Sequence, residues 1–204
     1  MTDQPALTPA DDLPSERPPL HVMLDIETMG TTPGSMIVAI GACTFDHPGQ
    51  RGTFYARIEI EGQQQYGLTI DPGTALWWMR QDDAARMELQ TADRLMLSTA
   101  LCDLSHMLHA WTTESGSAEL RLWANGANFD PVMLEAAWRA RLSDAPTPWR
   151  YHEVRCARTL YDLAGIDRSL FPPRIPHHAL EDALAQADAA EAALRILRQR
   201  KDAA

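Results

Sequence analysis

The sequence predicts an α/β domain, a mixed sheet covered by helices. Three observations carry that expectation. Segments of strand character open the chain before any helical periodicity appears, and short strand-like runs then alternate with helical ones. The third is scale, because 204 residues, 45% of them hydrophobic and 23% charged, suit one ordinary domain with a proper core.

Taken in order, residues 1–19 hold five prolines among Asp, Thr and Ser, a composition that builds no core, and are expected to form a flexible leader. A first strand is predicted over 21–26. A turn follows at 30–34, then a second strand over 36–45, where Gly41 signals a bulge or a close backbone approach. Residues 53–60 alternate Phe54, Ala56, Ile58 and Ile60 with Tyr55, Arg57 and Glu59, the pattern of a half-buried strand, so an antiparallel meander is expected. Thr74 is the expected cap of a short helix carrying Leu76, Trp77 and Met79, and Asp82 or Asp83 that of the next turn. Helical spacing over 92–111, including Cys102, predicts a long core-facing helix, with a flexible segment at 112–117.

A short strand is expected over 119–123, ended by Asn125-Gly126. Asp130-Pro131 then opens a helix over 131–142, proline being tolerated where its missing N–H costs nothing. A loop at 145–149, a last short strand over 151–154, a helix over 156–164 ended by Gly165, and a proline-rich loop at 167–176 follow. The final helix is predicted over 178–200.

The net charge of −10 argues against a protein that coats duplex nucleic acid, since that binding is driven by Lys and Arg displacing counterions from phosphates. Residues 139–174 nevertheless carry seven arginines against four acids, a locally basic stretch or an ordinary solvated surface. Three widely spaced cysteines, Cys43, Cys102 and Cys156, make neither a disulfide framework nor a metal clamp and are expected to be buried, reduced thiols. No apolar run is long enough to span a membrane, so the expected location is cytoplasmic.

Chemistry concentrates in V-M-L-D-I-E-T-M-G at 22–30. Side chains alternate along a strand, so Asp25 and Glu27 share one face at its end. Two crowded carboxylates repel unless a cation sits between them, which points to a divalent-metal site; the plainer reading is a strand edge meeting solvent. Asp130 reads either as a helix N-cap or as a further ligand. Asp182 sits in the first turns of the last helix, where the helix dipole favours an acid. His177 lies five residues ahead of it, and histidine is the usual general base.

Together, D-I-E-T at 25–28, N-G-A-N-F-D at 125–130 and H-H-A-L-E-D at 177–182 resemble the three motifs of the DEDDh branch of the DnaQ-like 3′-5′ exonucleases, which have a ribonuclease H-like fold. Within that family the chain most resembles the small phage and bacterial exodeoxyribonuclease VIII-like or Rv2179c-like group, through D-I-E-T-M-G, L-W-W-M-R-Q at 76–81 and W-A-N-G-A-N-F-D. The resemblance implies a single exonuclease domain over 20–201 with a five-stranded mixed sheet. It implies that Asp25, Glu27, Asp130 and Asp182 hold two Mg²⁺ or Mn²⁺ ions, and that His177, selected by the H-x4-D spacing, is the base. His178 is left to face solvent or cap the helix. Thr28 and Met29 are expected against the terminal nucleotide. Asn125 and Asn128 can bond the substrate or support their loop. Trp77 and Trp78 read most simply as core residues both; adjacent helical positions point about 100° apart, so the alternative is one in the core and the other, taken as Trp78, stacking on a base or filling a dimer interface. Arg155, with Arg158, is a candidate for the phosphate backbone. The implied partners are 3′ ends of single-stranded DNA or RNA, with a possible homodimer.

Other classes compete with this reading, among them an enzyme of the same chemistry acting as a subunit, such as a proofreading partner of a polymerase. A haloacid dehalogenase-like phosphatase needs a second Asp at 27 and a lysine in the site, but the lone lysine, Lys201, sits in the tail. A catalytically silent nucleotide- or nucleic-acid-binding module of the same fold is favoured by loss of an acid, yet all four acids and the histidine are present.

Overall fold

Three strands come first in the chain and set the frame: β1 (Leu20–Thr28), β2 (Ile37–Phe45) and β3 (Thr53–Arg57). Each is rich in β-branched or aromatic residues, and each pairs antiparallel with the next, as the sequence predicts. The computed structural model describes residues 18–203 apart from Pro48 and Asp144, so the expected leader lies outside the described residues except for Pro18 and Pro19. Helices α1 (Pro72–Met79), α2 (Asp83–Gln90) and α3 (Leu97–Ser115) follow, then β4 (Leu120–Ala124), α4 (Asp130–Leu142), β5 (Val154–Cys156), α5 (Ala157–Ala164) and α6 (Ala179–Asp202).

The sheet order is β3-β2-β1-β4-β5, with β4 and β5 parallel to β1. That is the mixed sheet expected, an antiparallel meander followed by parallel strands. Alternation along β1 divides the core. Val22, Leu24 and Ile26 pack with α3 and α4 on one face, while Met23 packs with Trp123, α5 and α6 on the other. His21 is buried on the second face and accepts a hydrogen bond from Trp123 Nε1 at 3.0 Å, and burial pushes its imidazole down to about 4.

Several boundaries differ from expectation. The cap of α1 is Asp71, which accepts from the Thr74 amide, and proline occupies the first turn; Thr74 sits inside the helix. Asp82 caps α2. Helix α3 starts at Leu97 because Leu95 is drawn into a bridge with Ile58, and it runs through the expected flexible segment to Gly116, whose positive φ ends it. The last strand begins at Val154, since Tyr151–Glu153 is a tight 3-10 turn closed between Arg150 and Glu153. Cys43 is buried, Cys156 half-buried and Cys102 exposed, so the expectation of three buried thiols fails for the last two. No helix among the described residues is long and apolar enough to cross a membrane.

Candidate active site

β1 outruns its parallel neighbour, and that mismatch creates the site. Pairing with β4 stops at Leu24–Ala124, whereas β1 continues to Thr28. The Ile26 amide is therefore left without a strand partner on that side. Asp130 takes it, its Oδ1 accepting at 3.2 Å. The helix-cap reading of Asp130 does not hold, because Phe129 occupies the cap position and no side chain caps α4 there. Its carboxylate is turned toward β1.

Asp25 and Glu27 leave β1 on the face that α6 covers, the same face as Met23. Gly41 lies directly opposite Asp25 on β2, and the backbone of Ala179 and Leu180 occupies the space where a side chain at 41 would stand. The expected close approach is thus real. The bulge is elsewhere, between Glu27 and Thr28 in the β1–β2 ladder. With its first turn pressed on β2, α6 delivers Asp182 to the pair. One carboxylate oxygen from each of Asp25, Glu27 and Asp182 falls within 4.8 Å of the others.

A cleft of ≈ 480 Å³ opens over this trio, and Asp130, His177, Asn125, Asn128 and Arg158 also line it. His177 holds a positive φ of 60°, and its ring meets Trp77 edge-on at 4.8 Å between centroids. An adjoining groove of ≈ 400 Å³ shares Ile26, Glu27, Thr31 and Phe129 with the cleft and is walled by Trp77, Thr28 and Asp71.

The acids perturb one another. Burial pushes Asp25 well above the ordinary carboxylate range, and Asp130, Glu27 and Asp182 push it further. Glu27 is raised in the same way, by burial first and then by Asp182, Glu88 and Asp130. Burial lifts Asp130 to about 7, against the hydrogen bonds its carboxylate accepts, and burial also raises Asp182. Four crowded, largely desolvated carboxylates disfavour full ionisation unless positive charge is supplied. An all-oxygen donor set of this kind suits hard divalent cations such as Mg²⁺ or Mn²⁺.

The substrate-side expectations divide. Asn125, Asn128 and Thr28 do line the cleft or its adjoining groove. Met29 does not, since its side chain is in the core, its N–H is bonded to Met36 and its carbonyl to Asp71. Trp78 is 1% exposed and donates Nε1–H to the Thr28 carbonyl, so it cannot stack on a base; Trp77, 39% exposed, is the tryptophan that faces the groove. Arg155 bends back to the His152 and Val154 carbonyls and toward Glu119, away from the cleft. Arg158, three residues on in the first turn of α5, lines it instead. His178 caps α6, its Nδ1 accepting from the Glu181 amide. Sequence reasoning passed over Gln186, whose Nε2 donates to Asp25 Oδ1 at 2.7 Å. Its position one turn beyond Asp182 on the same helix was the available signal.

Residues 20–194 match the family described as the 3′-5′ exoribonuclease Rv2179c-like domain. The chain belongs to that family. Membership places it among 3′-5′ exonucleases, in agreement with the DnaQ-like resemblance of its motifs. No curated protein matches the chain. Among solved structures it is similar to Escherichia coli exonuclease I in complex with a 5cy-dA13 oligonucleotide, at 15% identity and a TM-score of 0.49, over 89% of this chain and 41% of that one.

Proposed function

We propose that this chain removes nucleotides from the 3′ end of single-stranded nucleic acid, RNA in the first place, by metal-dependent hydrolysis with His177 as general base. The observation that carries the reading is the convergence of Asp25, Glu27 and Asp182 within 4.8 Å, with Asp130 and His177 on the walls of the same cleft. The family's description as exoribonucleases supports RNA over DNA. Asp25, Glu27, Asp130 and Asp182 would hold two Mg²⁺ or Mn²⁺ ions. When bound, such ions supply the positive charge that eases attack at phosphorus and departure of the leaving oxygen.

The remaining work falls to the chain's own side chains. His177 accepts the proton of the attacking water, and its place beside the acids keeps that proton transfer local. Gln186 holds Asp25 in one orientation through its amide. Arg158 meets a backbone phosphate, and Asn125 and Asn128 bond the strand as it enters. Trp77 stacks on the base lodged in the adjoining groove. The resemblance also implies a homodimer, which sedimentation of the purified chain measures.

The test is digestion of 5′-labelled single-stranded RNA and DNA with Mg²⁺ or Mn²⁺, against EDTA, Asp25→Ala and His177→Ala. A ladder shortening from the 3′ end is expected, faster on RNA, abolished by EDTA and by Asp25→Ala, and slowed about 10²- to 10⁴-fold by His177→Ala. If the wild-type chain binds oligonucleotides but cuts none with either metal, it is a silent binding module and the reading fails.

A further inference from the structure

Behind the cleft lies a further buried carboxylate that none of the three motifs contains. Glu88, on α2, is 1% exposed and draws together side chains from two other elements. Its Oε2 accepts from the Tyr55 hydroxyl of β3 at 2.5 Å. Its Oε1 lies 3.3 Å from Arg57 Nη2 and 3.9 Å from His178 Nε2. The Tyr55 ring is stacked on the His178 ring, with centroids 4.3 Å apart and planes 19° apart.

His178 is the hinge between two parts of the site. On its N-terminal side is His177, held in the left-handed region at φ 60°, where a residue with a β-carbon persists only if its surroundings over-determine it. On its C-terminal side, the Glu181 amide donates to His178 Nδ1 at 3.4 Å and the Asp182 amide to the His178 carbonyl at 3.0 Å. The cap is thus packed face-on by the Tyr55 ring, whose hydroxyl Glu88 holds, while Glu88 Oε1 faces its edge at 3.9 Å, longer than a hydrogen bond. A histidine cap free to turn would let the first turn of α6 fray, as helix ends do. This one is pinned to β3 and α2.

We propose that Glu88 and Tyr55 form a positioning clamp on His178, which sets both the angle of His177 and the depth at which Asp182 enters the acid cluster. The clamp touches no substrate. It deepens the exonuclease reading and rests on it only for its effect on turnover, because its effect on the first turn of α6 stands independently.

The test compares the full-length chain with Glu88→Gln, which keeps the shape and removes the charge, and Tyr55→Phe, which keeps the stacked ring and removes the bond to Glu88. Three quantities are read: amide exchange of Glu181 and Asp182, Mn²⁺ affinity by the loss of its free-ion paramagnetic resonance signal, and kcat and KM on labelled single-stranded RNA well below the melting temperature. Glu88→Gln is expected to speed exchange of both amides at least about 10-fold, weaken Mn²⁺ at least about 5-fold and lower kcat about 10-fold, with KM within about twofold. Tyr55→Phe is expected to shift each in the same direction by less, and the double variant to fall no lower than Glu88→Gln, because both changes release one clamp. Exchange, Mn²⁺ affinity and kcat all within about twofold of wild type in Glu88→Gln would overturn the proposal, as would a lowered melting temperature with exchange at 181 and 182 unmoved. A wild-type chain that cuts nothing while exchange still responds to Glu88→Gln refutes the exonuclease reading and leaves the clamp standing.

Discussion

Gly41→Ala tests whether the site depends on how closely α6 lies on the sheet. A β-carbon at 41 would stand 2.2 Å from the Ala179 carbonyl carbon and 2.3 Å from the Leu180 nitrogen, where ordinary contacts begin at 3.4 Å. Both obstacles are backbone, so no side-chain rotation relieves them; helix and strand must separate by about 1 Å. Overpacking of that kind costs about 1 to 3 kcal/mol, or roughly 3 to 10 °C of Tm for a domain of this size. The larger consequence is local. Asp182 begins three residues after Ala179 on the same rigid turn, and Gly41 is the register partner of Asp25, so the shift opens the acid cluster itself. A misplacement of about 1 Å in a catalytic constellation costs on the order of 100-fold in rate. Gly62→Ala is the control, because a β-carbon there meets only the flexible end of Gln65, at 3.4 Å. Thermal unfolding and metal-dependent hydrolysis are measured on both variants. If Gly41→Ala melts and cuts within error of wild type, the site does not depend on this contact and the account of how Asp182 is delivered is wrong.

Two further outcomes follow from burial and charge. In EDTA, stability should fall as pH rises above about 6.5, because Asp130, held to about 7 in the fold, and Asp25 and Glu27, held well above their ordinary range, still keep protons that the unfolded chain has already lost. His21, pushed down to about 4, acts below that window and does not offset it. Saturating Mn²⁺ should flatten the slope, and differential scanning calorimetry at several pH values reads both; a Tm that rises from pH 6.5 to 8 in EDTA would contradict the crowding described. The paired tryptophans should separate cleanly, Trp78→Ala costing about 3 to 5 kcal/mol of stability through the cavity it leaves, and Trp77→Ala leaving Tm nearly unchanged while raising KM about 5- to 150-fold, the equivalent of a base stack of about 1 to 3 kcal/mol. Denaturant melts and steady-state kinetics on the two variants decide it, and a Trp77→Ala chain with unchanged KM removes that residue from the substrate groove.

What could be read from the chain alone was whatever depends on periodicity and local chemistry. The alternation around Asp25 and Glu27 places both on one face of a strand, the glycine at 41 announces a close approach, and the strand-then-helix order implies the mixed sheet. Each of these follows from the residues within an element or from the order of elements along the chain. Tertiary structure decided the rest. Asp130 abandons a cap for the Ile26 amide because β4 ends short of β1, a mismatch no local pattern contains. Trp78 is the tryptophan that is buried and Trp77 the one left at the groove because the Trp78 indole is drawn in to the Thr28 carbonyl at the end of β1, and the helix carries apolar residues all round, so no local pattern chooses between them. Met29 is claimed by the core and Arg155 by the carbonyls of His152 and Val154, while Gln186 and Glu88 gain their partners only when α6 and α2 are brought against β1 and β3. A sequence records which side chains an element presents on each face. Which of them meet across elements is set by packing, because the partners are far apart in the chain and the contact exists only in the fold.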